Sequence, residues 1–324
     1  MEILDGFKLL SIERAVEALR AGDTVAFPTE TVYGLGADAM NAMAVAKIFE
    51  IKKRPHFDPL IIHIGEKDWI FRYAEAVPPK AALLIERFWP GPLTIILRKN
   101  SLVPDIVTAG LSTVGIRMPS HPVALNLIRL LGRPVAAPSA NPFGYMSPTK
   151  ASHVAEMFND SPLIVLDGGN SSFGIESSIV SVTDSITRLH RHGAISLEDL
   201  SSVIMPLYEK VEDGSCESPG ELPFHYAPHT PLKIISSSEE ITNPRSSYLS
   251  FMKPSGQPMS RHVRTLSENG DLREAAAHFF SFLIELDRKD VDIIYADAVP
   301  ETGLGRAIME RLYKASKRHL HIIH

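Results

Sequence analysis

The sequence predicts an α/β protein built in two units, and three features of the chain support this. Short apolar segments bounded by proline or glycine alternate with segments whose apolar residues recur every three or four positions. The chain has 324 residues, more than a usual single domain. Residues 209–220 are rich in Glu, Ser, Gly and Asp, as linkers are. We therefore expect domains over residues 1–205 and 231–324, joined by a linker over 206–230.

The charge and cysteine content narrow the classes of function. Asp and Glu outnumber Lys and Arg by 38 to 33, and the net charge is −5. Tight non-specific nucleic-acid binding depends on neutralising phosphates, so it is not expected here. Cys216 is the only cysteine, which excludes an intramolecular disulfide and a cysteine metal site. The first residues lack a basic leader and the apolar runs are too short to span a bilayer, so we expect a cytoplasmic protein without membrane contact.

The first helix is predicted over Ser11–Arg20, where apolar residues share one face and Gly22 suits the C-cap. The strand Thr24–Phe27 follows and stops at Pro28. A polar turn containing Thr31 then leads to two glycines, which we interpret as the start of a helix. Ligands of α/β proteins bind at such strand ends, although a plain connection is the more frequent explanation of a strand–turn–helix with two glycines.

A second helix is predicted from Asn41, whose side chain is a good N-cap, to the cations that precede Pro55. Lys52, Lys53 and Arg54 there would complement the helix dipole, which explains them without a functional role. Further helices are predicted over 78–88, 122–131 and 196–204, and one begins at 147–149. Strands are predicted over 59–64, 93–98, 113–117, 134–137 and 163–166, with a hairpin of 177–182 and 186–191 around residues 183–185.

The unit after residue 231 alternates strands and helices, which predicts a small parallel sheet. Its strands are expected over 232–235, 248–251 and 291–295, and its helices over 272–286 and 304–317.

Several familiar catalytic motifs are missing from the sequence. It contains no Walker A motif, no H-E-x-x-H and no G-x-S-x-G, and Gly303-Leu304-Gly305 lacks the third glycine of a dinucleotide fingerprint. Cations and small hydroxyl or amide side chains instead follow many of the predicted strands. Because phosphoryl transfer depends mainly on positioning and charge neutralisation, these residues favour an enzyme that uses a nucleotide or phosphate.

Five segments together resemble the YrdC-type threonylcarbamoyl-AMP synthase family in its long, two-domain form. They are residues 27–37, 52–55 with a K-x-R pair, 89–94, 138–141 with an S-x-N pair, and 218–228. The resemblance implies a twisted mixed sheet with flanking helices around a positively lined cleft, and a smaller Rossmann-like parallel-sheet domain at the C-terminus. It also implies the reaction of L-threonine, bicarbonate and ATP to L-threonylcarbamoyladenylate and pyrophosphate.

The family motifs imply site residues position by position. L-threonine would be bound by Thr31, His63, Arg117, Ala137 and Ser177, of which Ala137 offers only its backbone. ATP would be bound by Lys52, Arg54, Asp58, Thr113, Ser139, Asn141, Ser147, Arg191 and Tyr226. Lys52 and Arg54 would be the catalytic pair, and Tyr226 belongs to the linker that covers the active site. Asp58 lies where the family varies, so a solvated loop residue is an equal alternative there.

The resemblance also implies cofactors and partners. Mg²⁺ would accompany ATP without a dedicated protein metal site. The product would pass to a separate tRNA threonylcarbamoyl transferase complex, with weak or no direct tRNA binding by this chain. Two alternatives stay open at this point, namely an RNA-binding module without catalysis and a related carbamoyl or nucleotidyl transferase that acts on another acceptor.

Overall fold

The computed structural model describes residues 1–159, 161–182, 186–210, 218–220 and 225–318. These residues form one sheet of eleven strands and a second sheet of four. The strands of the large sheet are β1 Glu2–Asp5, β2 Val25–Phe27, β3 Gly34–Asp38, β4 Ile61–His63, β5 Leu93–Arg98, β6 Thr113–Arg117, β7 Val135–Ala136, β8 Ile164–Asp167, β9 Ser178–Val182, β10 Thr187–Arg191 and β11 Tyr208–Glu209. Those of the small sheet are β12 Leu232–Ile235, β13 Ser246–Ser250, β14 His262–Thr265 and β15 Ile293–Asp297.

The helices flank these two sheets. Eight precede the small sheet along the chain: α1 Leu9–Arg20, α2 Ala42–Lys52, α3 Ile70–Tyr73, α4 Pro79–Phe88, α5 Asp105–Thr108, α6 Pro122–Leu131, α7 Ala151–Met157 and α8 Leu197–Val203. Two accompany the small sheet, α9 Leu272–Leu286 and α10 Gly305–Lys317. None of the helices among the described residues is long and apolar enough to cross a membrane.

The large sheet is mixed, in the order β1-β8-β2-β3-β7-β4-β6-β5-β9-β10-β11. Neighbours β4 and β6 run parallel, whereas β5 and β6 run antiparallel. The small sheet has the order β12-β15-β13-β14 and is parallel throughout. Both the mixed sheet and the small parallel sheet are as predicted, while β1, β11 and β14 were not predicted.

The predicted helix start after the polar turn is wrong. Gly34 and Gly36 do not begin a helix but lie in β3, which pairs antiparallel with β2. A Cβ atom at Gly36 would lie 2.6 Å from Cγ1 of Val135 and 2.7 Å from Cε1 of Phe27. The glycine therefore permits close packing against two buried side chains, a role that the local sequence does not distinguish from a helix start.

The second helix begins as predicted, because the Asn41 side chain accepts hydrogen bonds from the backbone N–H groups of Met43 and Ala44. Its end differs from the expectation. Lys53 takes a left-handed conformation with φ of 53°, so the helix stops there rather than at Pro55. Arg54 consequently lies beyond the helix and is free to point in another direction.

The strands of the predicted hairpin, β9 and β10, pair antiparallel, whereas its turn at 183–185 lies outside the described residues. Of the proposed linker, the structure describes residues 206–210, 218–220 and 225–230.

The two sheets share one apolar core where they meet. Val32, Met146 and Ile175 belong to the same buried cluster as Phe280 and Leu312, the last two from α9 and α10. Gly174 allows this approach, since a Cβ atom there would lie 2.4 Å from the carbonyl oxygens of Ala276 and Ala277 in α9. Burial of apolar surface therefore holds the small unit against the part of the large unit that carries the cleft.

Candidate active site

A cleft lies at the centre of the large sheet, between the turn after β2, the ends of β4 and β6, the loop after β7, and the start of β9. Residues 219–220 and 225–226 of the linker form its outer wall. Many of the predicted site residues line this one cleft: Thr31, Arg54, His63, Arg117, Ala137, Ser139, Ser177, Arg191 and Tyr226. Segments far apart in sequence are thereby brought to a common space.

The turn after β2 is held in shape by Thr29. Its hydroxyl donates to the Val32 carbonyl over 2.6 Å and accepts from the backbone N–H groups of Thr31 and Val32 over 3.2 Å each. The Thr31 hydroxyl lies 2.7 Å from the Thr29 hydroxyl and is fully buried. The turn therefore presents Thr31 to the cleft in a fixed position.

Arg117, at the end of β6, is held by a carboxylate that the sequence analysis did not select. Its Nη2 lies 2.7 Å from Oε1 of Glu30, and both side chains are buried. The second oxygen of Glu30 accepts from the Ser120 backbone N–H over 3.0 Å. The ion pair therefore fixes the direction of the guanidinium at the cleft wall. Glu30 lies in the turn after β2, between Thr29 and Thr31, and this position was the one sequence feature that could have pointed to it.

His63 is buried in the middle of the sheet and is neutral. Burial, followed by the nearby charge of Arg117, lowers the pKa of the imidazole to about 3. Its Nδ1 has no hydrogen-bond partner within the described part of the chain, and the ring packs edge-on against Phe27 with centroids 6.2 Å apart. A neutral ring with an uncommitted nitrogen can accept or donate a hydrogen bond to a polar ligand.

Arg54 reaches the cleft from beyond α2, and Asp58 orients it. Arg54 Nη2 lies 2.8 Å from Asp58 Oδ1 and also donates to the Pro59 carbonyl over 2.9 Å. Asp58 is fully buried, so the alternative of a solvated loop residue is wrong. The carboxylate lies against a guanidinium, which is a reason for its burial that the loop sequence does not show.

Lys52 does not line the cleft but lies behind it. Its Nζ donates to the carbonyl of Ser139 over 2.6 Å, and it makes a shorter hydrogen bond to the carbonyl of Asn141. Burial and the charge of Arg54 lower the pKa of the ammonium, and they outweigh the charge of Asp58, which raises it. The pKa therefore lies well below its ordinary value. Lys52 therefore fastens the turn after β7, to which two predicted ATP contacts belong.

The Asn141 side chain is partly committed to that same turn. Its Nδ2 donates to the carbonyls of Pro142 and Tyr145, and its buried Oδ1 has no partner among residues that the structure describes. Thr113 lines a small adjoining cavity whose wall includes residues of β4, β5, β6 and β9, and Ile61 and Pro219 line both spaces.

The cleft wall at β9 and β10 is a hydrogen-bonded group of a cation and hydroxyls. Arg191 donates from Nη2 to the Ser177 hydroxyl over 3.1 Å and from Nη1 to the Pro219 carbonyl over 3.2 Å. The Ser177 hydroxyl also lies 2.8 Å from that of Thr94. Arg191 therefore joins the sheet to the linker.

The described linker residues are buried and incompletely hydrogen-bonded. Neither the Tyr226 hydroxyl nor His225 Nδ1 has a partner within the described ranges. Tyr226 has φ of +64°, and a Cβ atom at Gly220 would lie 2.5 Å from its hydroxyl oxygen. Burial, then Arg54 and Lys52, hold the pKa of His225 well below its usual value, so the imidazole is neutral.

Two further residues of the site were not predicted. Glu176 lines the cleft beside Ser177, and its Oε1 accepts a short hydrogen bond from the Ser147 hydroxyl. Its other oxygen faces Arg311 of α10, at 2.7 Å. Glu176 adjoins a predicted ligand, which was a weak signal, whereas nothing in the local sequence of α10 distinguishes Arg311 from a surface cation.

The comparisons with known proteins agree with this architecture. Residues 17–193 match the Sua5/YciO/YrdC family model, whose description reads "Telomere recombination". Residues 195–317 match the model "Threonylcarbamoyl-AMP synthase, C-terminal domain".

Relatives align with the chain over nearly its whole length. The threonylcarbamoyl-AMP synthase of Pyrococcus abyssi is 41% identical over 94% of both chains. That of Bacillus subtilis is 42% identical, covering 94% of this chain and 92% of its own. The crystal structure of P. abyssi Sua5 complexed with L-threonine superposes with a TM-score of 0.88 at 38% identity, over 98% of this chain and 96% of that one. The chain therefore belongs to the threonylcarbamoyl-AMP synthase family in its two-domain form, as the sequence motifs predicted.

Proposed function

We propose that this protein is an L-threonylcarbamoyladenylate synthase, which forms threonylcarbamoyl-AMP and pyrophosphate from L-threonine, bicarbonate and ATP. The observation that carries the proposal is the meeting of Arg54, Arg117 and Arg191 with small hydroxyls and a neutral histidine in one cleft. The names of the two relatives support the threonylcarbamoyl-AMP product, and the L-threonine complex of the P. abyssi protein supports the amino-acid substrate. The product would serve threonylcarbamoyladenosine formation in tRNA.

The proposed threonine side consists of Thr31, His63, Arg117, Ala137 and Ser177. Arg117 pairs with the threonine carboxylate, a task that suits the planar fork of a guanidinium. The neutral His63 and the hydroxyl of Thr31 offer hydrogen bonds to the polar groups of the amino acid. Ala137 contributes backbone groups, and its methyl leaves room for the substrate.

The proposed nucleotide side contains Arg54, Ser139, Asn141, Ser147, Arg191 and Tyr226, with Lys52, Asp58 and Thr113 around it. Arg54 and Arg191 line the cleft and would neutralise the phosphate charge. Lys52 fastens the turn of Ser139 and Asn141, and Asp58 directs Arg54. The small cavity beside Thr113 is walled by strand residues and adjoins the cleft through Ile61 and Pro219.

The chemistry proceeds in two steps without a covalent enzyme intermediate. The threonine amine adds to the carbon of bicarbonate, water leaves, and a carbamate results. An oxygen of the carbamate then attacks the α-phosphorus of ATP in line, the bond from phosphorus to the bridging oxygen breaks, and pyrophosphate leaves. Arg54 and Arg191 offset the negative charge that develops on the phosphoryl oxygens.

Mg²⁺ is proposed to arrive with ATP, whose phosphate charge it would offset. Among the described residues, no group of three or more His, Cys, Asp or Glu side chains is placed to hold a metal ion. The carboxylates nearest the cleft face protein cations: Glu30 lies against Arg117, Asp58 against Arg54, and Glu176 against Arg311. This arrangement suits an ion bound mainly by phosphate oxygens and water.

Transfer of the product to a tRNA threonylcarbamoyl transferase complex, and a cytoplasmic location, are parts of the same proposal. Threonine-dependent formation of AMP-linked product and pyrophosphate tests it directly. Valine should be rejected by about 10⁴-fold and serine only modestly, because a site that binds the threonine hydroxyl leaves polar groups unpaired with valine. Equal turnover with all three amino acids, or turnover without any, would contradict the proposal.

A further inference from the structure

Arg311 lies on α10, in the small unit, and is the largest fully buried side chain of the described structure. Its Nε donates to Oε2 of Glu176 over 2.7 Å, and its Nη2 lies at the same distance from that oxygen. Its Nη1 donates to the carbonyls of His192 over 3.0 Å and of Ala307 over 2.8 Å. The guanidinium therefore crosses from the small unit to the large one with most of its donors engaged.

Glu176 connects this arginine to the cleft. One carboxylate oxygen faces Arg311, and the other accepts from the hydroxyl of Ser147, a predicted ATP contact. Burial raises the pKa of the Glu176 carboxyl, but the charges of Arg311 and Arg191 outweigh it, so the pKa lies below its usual value. Glu176 is therefore ionised, and its direction is set from the far side of the interface.

The same arginine also contacts the linker. Its guanidinium carbon lies 5.2 Å from the ring centroid of Tyr226, a cation–π distance, and the ring packs against Phe280 of α9 at 5.7 Å. One turn further along α10, Lys314 donates to the Gly220 carbonyl over 2.6 Å. The helix α10 thus supports Glu176, Tyr226 and Gly220, three positions on one side of the cleft.

On the proposed threonine side, Val32 packs in the core shared with the small unit, but among the described residues no ion pair from that unit orients a predicted threonine ligand. Arg117 is held by Glu30, and Thr31 by Thr29, all within the large unit. A cation whose only role was to join the two units would not need to lie near the cleft. Arg311 instead lies one carboxylate away from a predicted ligand of ATP.

We propose that Arg311 is a positioning residue for nucleotide binding and turnover, which acts by fixing Glu176 and Tyr226, so that the small unit completes the nucleotide side of the active site. The inference rests on the proposed function. It adds a role for the C-terminal unit to a site whose predicted ligands all come from the large unit and the linker.

The test uses three variants of the full-length chain: Arg311→Met, Glu176→Gln, and the double variant that carries both substitutions. Arg306→Met is the matched control, because Arg306 lies on the same helix and bridges the same interface to Glu198 at 3.0 Å, but at the exposed rim. Turnover with varied ATP, and calorimetric titrations of threonine alone and of ATP alone, are measured for each protein. Circular dichroism checks that each variant folds.

For Arg311→Met we expect a loss of about 100-fold in kcat/KM for ATP, since small misplacements of binding groups cost rates of this order. Threonine binding should stay within about twofold of the wild type. The double variant leaves neither charge buried alone, so a merely structural ion pair would be restored by it. A positioning role predicts that its ATP defect persists, and that Arg306→Met behaves as the wild type.

Several results would overturn the proposal. They are near-normal ATP kinetics in either Arg311→Met or the double variant, equal losses of threonine and ATP affinity, and an ATP defect of the same size in Arg306→Met. If Arg311→Met does not fold, Glu176→Gln and the double variant decide the question by the same criteria. If the wild type binds ATP but shows no threonine-dependent turnover, the proposed function fails, while the ATP titrations still test the positioning role.

Discussion

The two sides of the cleft are built differently. The polar contacts of the proposed threonine side come from within the large unit, such as Glu30 with Arg117 and Thr29 with Thr31. The proposed nucleotide side draws on the large unit, the linker and α10, through Arg54, Tyr226 and Arg311. In this proposal, the ion pairs and hydrogen bonds that orient the threonine ligands belong to one sheet and its turns, whereas those that orient the nucleotide ligands also cross between the two units.

The largest expected effect is on the nucleotide side, at Arg54. Arg54→Ala should lower threonine-dependent pyrophosphate release by about 10²–10³-fold, because a preorganised cation is lost at the phosphates. Lys52→Ala should cause a similar loss by loosening the turn after β7. Pyrophosphate release at saturating threonine measures both.

Lys53→Ala is the control for these two changes. Lys53 lies between Lys52 and Arg54 in sequence, but its side chain is exposed. The substitution therefore removes a cation from the same segment without changing the cleft. Its turnover should match the wild type. Near-normal turnover in Arg54→Ala and Lys52→Ala would contradict the assigned nucleotide side.

On the threonine side, Arg117→Lys should weaken threonine binding by about 10–100-fold, because hydrogen bonds to charged groups contribute about 1.5–3 kcal/mol and lysine lacks the planar fork. ATP binding in the absence of threonine should change little. Calorimetric titration of each ligand alone measures the difference. The control is Arg133→Lys, which alters the half-exposed pair of Arg133 with Asp38, 3.0 Å apart, away from the cleft. An ATP defect as large as the threonine defect in Arg117→Lys would remove the distinction between the two sides.

A smaller effect is expected at the linker. Gly220→Ala should weaken ATP binding roughly fivefold, a change of about 1 kcal/mol, because the added methyl would meet the Tyr226 hydroxyl at 2.5 Å. Gly110→Ala is the matched control, since Gly110 has a similar φ of +81° but no atom within 4 Å of the added methyl. Titration of ATP with both variants separates the contact from the backbone strain. Equal ATP affinities would show that the contact with Tyr226 has no effect on the site.

A last prediction, on stability rather than activity, concerns acid stability and His63. The folded-state pKa of about 3 lies below the ordinary value of 6.5, so the unfolded chain binds more protons between these two pH values. The neutral imidazole therefore contributes stability that is present above about pH 6.5 and is lost as the pH falls toward 3. His63→Asn should make the free energy of unfolding depend less on pH in this window. Urea unfolding at several pH values measures it, with the exposed His56→Asn as control, and an unchanged dependence in His63→Asn would contradict a neutral buried ring.

Much of the fold follows from local patterns in the sequence. The apolar face of α1, the cap at Asn41 and the strand–helix alternation after residue 231 all predicted elements that the structure contains. The helix after Gly34 was wrong because the glycines serve packing between strands, which depends on residues as distant as Val135. Strands β1, β11 and β14 were missed because their short sequences carry little alternation.

The site divides in the same way. Motif resemblance supplied the residues that lie in turns and at strand ends, and many of them line the cleft. It did not supply Glu30, Glu176 or Arg311, because their roles arise from ion pairs between residues far apart in sequence. Glu30 and Arg117 are 87 positions apart, and Glu176 and Arg311 are 135 positions apart. The burial of Asp58 was likewise not evident from the sequence, since a carboxylate in a loop is usually solvated.

The division between the two sides can be tested in the wild-type protein by amide hydrogen exchange. Threonine alone should slow exchange in the turn at 29–33 and in β6, and leave α10 unchanged. Addition of a non-hydrolysable ATP analogue should slow exchange further in residues 218–220 and 225–226 and in α10, because that helix supports the proposed nucleotide side. Protection of α10 by threonine alone, or an α10 that does not respond to the nucleotide, would contradict the account.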